Sequence, residues 1–141
     1  MRSFTYPVHL EPASEGGFVV TCRDVPEAIT QGNTLQEALD EAVDALDEAL
    51  QGRIEDDEDI PPASRARKGE YLVAPPVGTA LKLAVCLALR DAKISRSELA
   101  HRLNVDEKEI RRVLDPKHQT KASRLEAVLR TLGRRVDVSV V

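Results

Sequence analysis

The residues with the clearest chemical purpose are cations gathered between Ser95 and Lys121. Lys108, Arg111 and Arg112 recur at the spacing of one helix face, next to Glu107. A guanidinium placed there can donate two parallel hydrogen bonds to a guanine edge, or pair with phosphate. Lys108 falls near the start of its helix, where a DNA-reading helix meets base edges. Ser95, Arg96 and Ser97 open the preceding helix, a position suited to phosphate oxygens. Lys117 and His118, with Lys121 beyond them, follow the second helix and are further candidates for phosphate contact. A solvated face is the plainer alternative for Arg111 and Arg112, and a partner for the helix dipole is the alternative for Glu107.

Other chemistries lack their parts. A metal-dependent nuclease needs carboxylates converging on divalent ions, yet Asp40, Glu41, Asp44, Asp47 and Glu48 fall on the outer face of one helix. His9, His101 and His118 share no ligand spacing, and His9 lies on a strand face opposite Tyr6 and Val8. A Gly-rich phosphate loop and a G-x-S-x-G turn are both missing. Cys22 and Cys86 lie far apart inside apolar runs, without a C-x-x-C pair, and are expected to be buried thiols. The chain is expected to be no enzyme and to need no cofactor or metal.

The net charge of −4 conceals a division. Residues 1–60 hold 3 Lys/Arg against 15 Asp/Glu, whereas residues 61–141 hold 17 against 9. A basic module suits nucleic acid; an acidic one suits a basic protein or imitates nucleic acid. A chain of 141 residues holds one domain or two very small ones. Aromatics make up 3%, so Leu, Val, Ile and Ala must form the core, and oligomerisation often completes cores this small. No signal peptide is visible. The most apolar stretch, residues 81–89, contains Lys82 and is too short to cross a bilayer, so a cytoplasmic protein is expected.

The elements that must carry these residues follow from periodicity. Phe4, Tyr6, Val8 and Leu10 alternate with polar residues or proline, predicting a strand in which Pro7 marks an edge or a bulge. A turn at Glu15-Gly16-Gly17 leads to a second strand on Phe18, Val20 and Cys22. A short third strand is expected over residues 28–31. Thr34 and Glu37 form a capping box ahead of an amphipathic helix ended by Gly52. Residues 53–69 are expected to be the least ordered, with a double proline and charge runs of both signs. Tyr71, Leu72, Val73 and Ala74 suggest a fourth strand.

From Thr79 the pattern turns helical. A first helix covers residues 80–92. Ser95 and Glu98 cap a second, and Asp106 and Glu109 cap a third. Ala100 is small where two helices approach, Asn104 tolerates a left-handed turn, and Val105, Ile110 and Val113 pack inside. This combination defines a helix-turn-helix. A final helix covers residues 122–132, stopped by Gly133. Val136, Val138 and Val140 alternate as a terminal strand, which must pair with its copy in a second subunit because a lone strand is unstable.

The N-terminal part of the chain resembles the HicB antitoxin domain. The resemblance rests on the N-terminal strand, the Gly-containing hairpin, and the Asp24-Val25-Pro26 turn. It also rests on Thr30, Gly32 and Thr34 ahead of an E-A-L helix, and on the IPPAS segment, residues 60–64. The C-terminal part resembles the lambda-repressor-like helix-turn-helix that many HicB proteins carry. Glu27 and Asn104 stand where the family pattern has glycine. The resemblance implies an α+β chain: a β-β-β-α-β, partial RNase H-like toxin-binding domain over residues 1–76, with 53–69 as a loop. A helix-turn-helix DNA-binding and dimerising domain would follow over residues 77–141.

It further implies neutralisation of a HicA-like mRNA-cleaving toxin, repression of the protein's own operon on double-stranded operator DNA, and a homo-oligomer of at least two copies. Asp56, Asp57, Glu58 and Asp59 are candidate toxin contacts, with a solvated linker as the alternative. Two other readings stay open: a stand-alone regulator whose N-terminal domain senses a ligand or dimerises, and a residual nuclease.

Overall fold

The computed structural model describes residues 2–141, which form two compact units divided between Ala80 and Leu81. The first unit is built on β1 (Tyr6–Pro12), β2 (Phe18–Thr21), β3 (Thr30–Gly32), α1 (Leu35–Glu55) and β4 (Tyr71–Val73). The strands form one antiparallel sheet in the order β3-β2-β1-β4. Tyr6, Val8, Leu10 and Val20 are buried on one sheet face. The spacing of four along α1 brings Ala38, Ala42, Leu46, Leu50 and Ile54 into the same core. Thr34 caps α1 as expected, its hydroxyl accepting from the Glu37 N–H at 3.1 Å.

The close approach of sheet and helix depends on Gly32. A Cβ built there would lie 2.4 Å from the Ala38 backbone nitrogen. The hairpin between β1 and β2 closes through Gly16 and Gly17, both at positive φ, where side chains are strained. Pro26 takes the second position of a turn closed by the Ala28 N–H bonding to the Val25 carbonyl at 2.9 Å.

Pro7 has the edge position expected of it: β1 is an inner strand, but Pro7 faces Leu72 of β4 on a stretch that β2 does not reach, so its missing donor is tolerated. Three expectations need correction. The third strand is shifted towards Gly32. Gly52 does not end α1, which runs to Glu55 because Ile54 is buried in the core and repays the extra turn. Residues 53–69 are not loosely held. Tyr6 Oη donates to the Pro61 carbonyl at 2.8 Å, Ile60 is buried, and the Ser64 N–H and hydroxyl both donate to Asp24.

The chain divides inside α2 (Val77–Ala92), which starts earlier than its apolar stripe suggested. The second unit continues with α3 (Arg96–Leu103), α4 (Glu107–Leu114) and α5 (Ala122–Thr131). Its core is Val85, Ala88, Leu99, Ala100, Ile110, Val113, Leu125, Val128 and Leu129. Gly133, at positive φ, ends α5: its N–H bonds to Arg130, and that of Arg134 to Leu129. Val136 packs against this core, but residues 134–141 form no strand within the single chain, where no neighbouring strand is on hand. Val138 and Val140 are 77% and 91% exposed.

Candidate functional site

The cation cluster of the second unit is carried by α3, α4 and the turn between them. Both helices are capped by their own first side chains. Ser95 Oγ accepts from the Glu98 N–H at 3.0 Å, and Asp106 Oδ1 accepts from the Glu109 N–H at 3.1 Å. Asn104 takes the left-handed conformation, φ 55° and ψ 47°. The N–H of Asn104 then reaches the His101 carbonyl, and that of Val105 reaches the Ala100 carbonyl at 3.0 Å. These two bonds satisfy carbonyls at the end of α3 and reverse the chain sharply. Asparagine thus fills the place where a glycine would be the more common choice.

The turn is braced from outside. Ser97 Oγ donates to Glu107 Oε1 at 2.5 Å, tying the first turn of α3 to the first turn of α4. Inside, Leu99, Ala100, Ile110 and Val113 are fully or almost fully buried. Arg96, Lys108, Arg111 and Lys117 are exposed and, among the described residues, have no side-chain partner. Arg112 is also exposed, with Nη1 at 3.7 Å from Glu109. His118 Nδ1 lies 3.0 Å from Thr120 Oγ1, and the Lys117 N–H donates to Asp115 Oδ1 at 2.9 Å. Of the nine residues expected to meet DNA, Ser97 and Glu107 are therefore engaged with each other, and Ser95 is engaged as a cap. The remaining six present their charge or ring at the surface.

The lysine inside the apolar stretch of α2 is buried, which its place in the sequence does not announce. Lys82 of α2 is 4% exposed, and its Nζ donates to the carbonyls of Arg112, Asp115 and His118. Burial holds its pKa below the usual lysine value, while the Asp115 carboxylate acts in the opposite direction. A lysine interrupting an apolar helix was the available signal.

In the first unit the acidic residues divide between surface and structure. Asp40, Glu41, Asp44 and Glu48 are exposed along α1. Asp47 departs from the expected solvent face: it is half-buried and accepts from Thr79 Oγ1 at 2.5 Å and Gln51 Nε2 at 2.8 Å. Asp56, Asp57, Glu58 and Asp59 are exposed in the turn that follows α1, with Asp57 at positive φ. This turn is shaped by Arg53, which donates to both carboxylate oxygens of Glu27 and, through Nη1, to the Asp59 carbonyl at 2.9 Å. Glu27, Glu48, Asp56 and Glu58 consequently rim an open depression of about 440 Å³ around Arg53.

The acidic unit also has a basic corner. His9, Arg23, Arg67 and Lys68 line a second open depression of about 550 Å³. Arg23 is committed there, donating to both oxygens of Glu70 at 3.0 Å and to the Arg65 carbonyl at 2.6 Å. Its guanidinium, with the Arg67 N–H, holds the Glu70 carboxyl down at about 2. Among the described residues, no three His, Cys, Asp or Glu side chains group as a metal site, and no helix is long and apolar enough to cross a membrane. Cys22 and Cys86 are buried, as expected, and form no disulfide.

The comparison with known proteins agrees with the sequence resemblance. The family described as HicB_like antitoxin of bacterial toxin-antitoxin system matches residues 5–84. The chain is 38% identical over 140 residues to Antitoxin HicB 1 of Photorhabdus laumondii, covering 99% of this chain and 89% of that one. It is 36% identical to Antitoxin HicB of Escherichia coli strain K12, covering 96% of this chain and 99% of the other. Antitoxin HicB of Pseudomonas fluorescens is 34% identical, with 99% and 94% covered. The matched region takes in the whole β1–β4 sheet and α1, and the relatives extend the likeness across the α3–α4 turn as well. The chain therefore belongs to the HicB-like antitoxin family of bacterial toxin–antitoxin systems.

Proposed function

We propose that this protein neutralises a HicA-like ribonuclease toxin through its first unit and represses its own operon through its second. The α3–turn–α4 arrangement carries the DNA half of this reading. Its two capped helices, left-handed Asn104 and buried Ala100, Ile110 and Val113 support reading it as a helix-turn-helix. With α4 as the recognition helix, Lys108, Arg111 and Arg112 face the bases, while Arg96, Lys117 and His118 meet phosphate.

The toxin half is supported by family membership and by the chemistry of the first unit. Exposed carboxylates along α1 and around the Arg53 depression complement a small basic nuclease. The β-β-β-α-β order supports reading the first unit as a partial RNase H-like domain used for binding. The exposed valines at 138 and 140 suit pairing between two copies, as operator half-sites about one helical turn apart require. Truncation after Val136 keeps the packed valine and is expected to yield monomers by sedimentation.

Co-expression with a neighbouring small open reading frame that encodes a basic, HicA-like protein, followed by pull-down and promoter binding, tests both halves. Replacing Asp56, Asp57, Glu58 and Asp59 by their amides should weaken toxin binding and flatten its salt dependence. A toxin that remains free to cleave RNA overturns the toxin half, and a chain indifferent to its promoter overturns the DNA half.

A further inference from the structure

We propose that Lys82 is the positioning residue of the DNA-binding face, fixing the end of α4 and the loop after it as one piece. The inference rests on the DNA-binding reading above. A buried ammonium is costly unless its donors are all used. Lys82 uses its three on three carbonyls, and none of them belongs to its own helix. Arg112 lies in the last turn of α4, Asp115 is its C-terminal cap, and His118 lies in the loop beyond.

The placement has an electrostatic reason. The last carbonyls of a helix lack intrahelical partners and carry the negative end of its dipole. A cation there draws the helix end and the following loop to one point. Arg111 and Arg112, the candidate base readers, sit immediately before that point, and Lys117 sits between the Asp115 and His118 acceptors. Lys82 thus sets the distance between base-reading and phosphate-binding groups without touching DNA itself. An apolar residue of similar size would fill the space equally well, so a lysine contributes something packing alone does not need.

The test compares the full-length protein with its Lys82→Met, Lys117→Ala and double variants, using the protein's own promoter and a scrambled duplex across a salt series. Lys82→Met is expected to stay folded and lose about tenfold or more in promoter affinity, with less change on the scrambled duplex. The slope of log affinity against log salt should fall by about 1, because the phosphate contact of the loop is lost. A purely structural role would reduce the folded fraction and leave that slope intact. Lys117→Ala should then cost little in the Lys82→Met background.

If Lys82→Met does not fold, Lys82→Arg, which keeps the charge but cannot seat it at the same point, takes its place. Wild-type affinity and slope in the folded variant overturn the proposal while leaving the DNA reading standing. Failure of both variants to fold assigns Lys82 to the fold and also overturns it. A wild-type protein with no preference for its promoter overturns both.

Discussion

Arg53 holds Glu27 through both carboxylate oxygens, with Nε at 2.6 Å from one and Nη2 at 2.8 Å from the other. The pair joins the last turn of α1 to the turn ahead of β3. Because the third Arg53 donor takes the Asp59 carbonyl, the same side chain bends the acidic run back over the helix end. The carboxylates of that run are thus displayed on a fixed turn.

Asp24 has the same role further along. It accepts from the Ser64 N–H at 2.8 Å and the Ser64 hydroxyl at 2.6 Å. Asp24→Ala leaves the part-buried Ser64 N–H without its partner, and hydrogen bonds to a charged group contribute about 1.5–3 kcal/mol. A loss of stability in that range is expected by urea denaturation. Limited trypsin digestion should then cut after Arg65, Arg67 or Lys68 faster than in the wild type.

The two arginine–glutamate pairs give a pH dependence of definite sign. The Glu70 carboxyl is held at about 2 against an ordinary 4.5, and Arg53 lowers Glu27 in the same direction. Between these values the unfolded chain binds more protons than the folded one. The stabilisation is therefore complete above about pH 4.5 and drains away as pH falls towards about 2. Glu70→Gln should make the loss of stability across this window shallower, as read by denaturant melts at stepped pH.

Gly32→Ala is expected to disturb the sheet–helix contact. Its Cβ would meet Ala38 N at 2.4 Å and Ala38 Cα at 2.6 Å, both backbone atoms that cannot move aside singly. Overpacking of this kind costs about 1–3 kcal/mol. Thermal melts should show the loss, and Gly52→Ala, with open space around its Cβ, should not share it.

Under the proposed DNA-binding function the surface cations are expected to separate by role. Arg111 has no side-chain partner among the described residues, whereas Arg112 stands 3.7 Å from Glu109. Arg111→Ala is expected to cost about 1–3 kcal/mol on the specific operator and to relax preference at one base position. Arg96→Ala should weaken specific and scrambled duplexes alike. Competition binding against both duplexes checks the distinction.

Short-range relations were legible in the amino-acid order. The caps at Thr34, Ser95 and Asp106 all formed, because each needs a side chain and an amide three positions apart. The apolar stripes of α1 and α5 and the Asn104 turn were equally local. So was the division of charge, which composition alone reveals. Tertiary structure decided what depends on partners remote in the chain. The strand that covers the other side of Pro7, β4, comes from across the unit. Residues 53–69 have no local signal of order, because the anchors of Ser64 and Pro61 lie 40 positions away at Asp24 and 55 away at Tyr6. Lys82 disappeared into an apolar helix, since its acceptors are 30 to 36 residues downstream. Backbone carbonyls have no signature in a side-chain pattern, so a buried cation that answers them is visible only once the chain has folded.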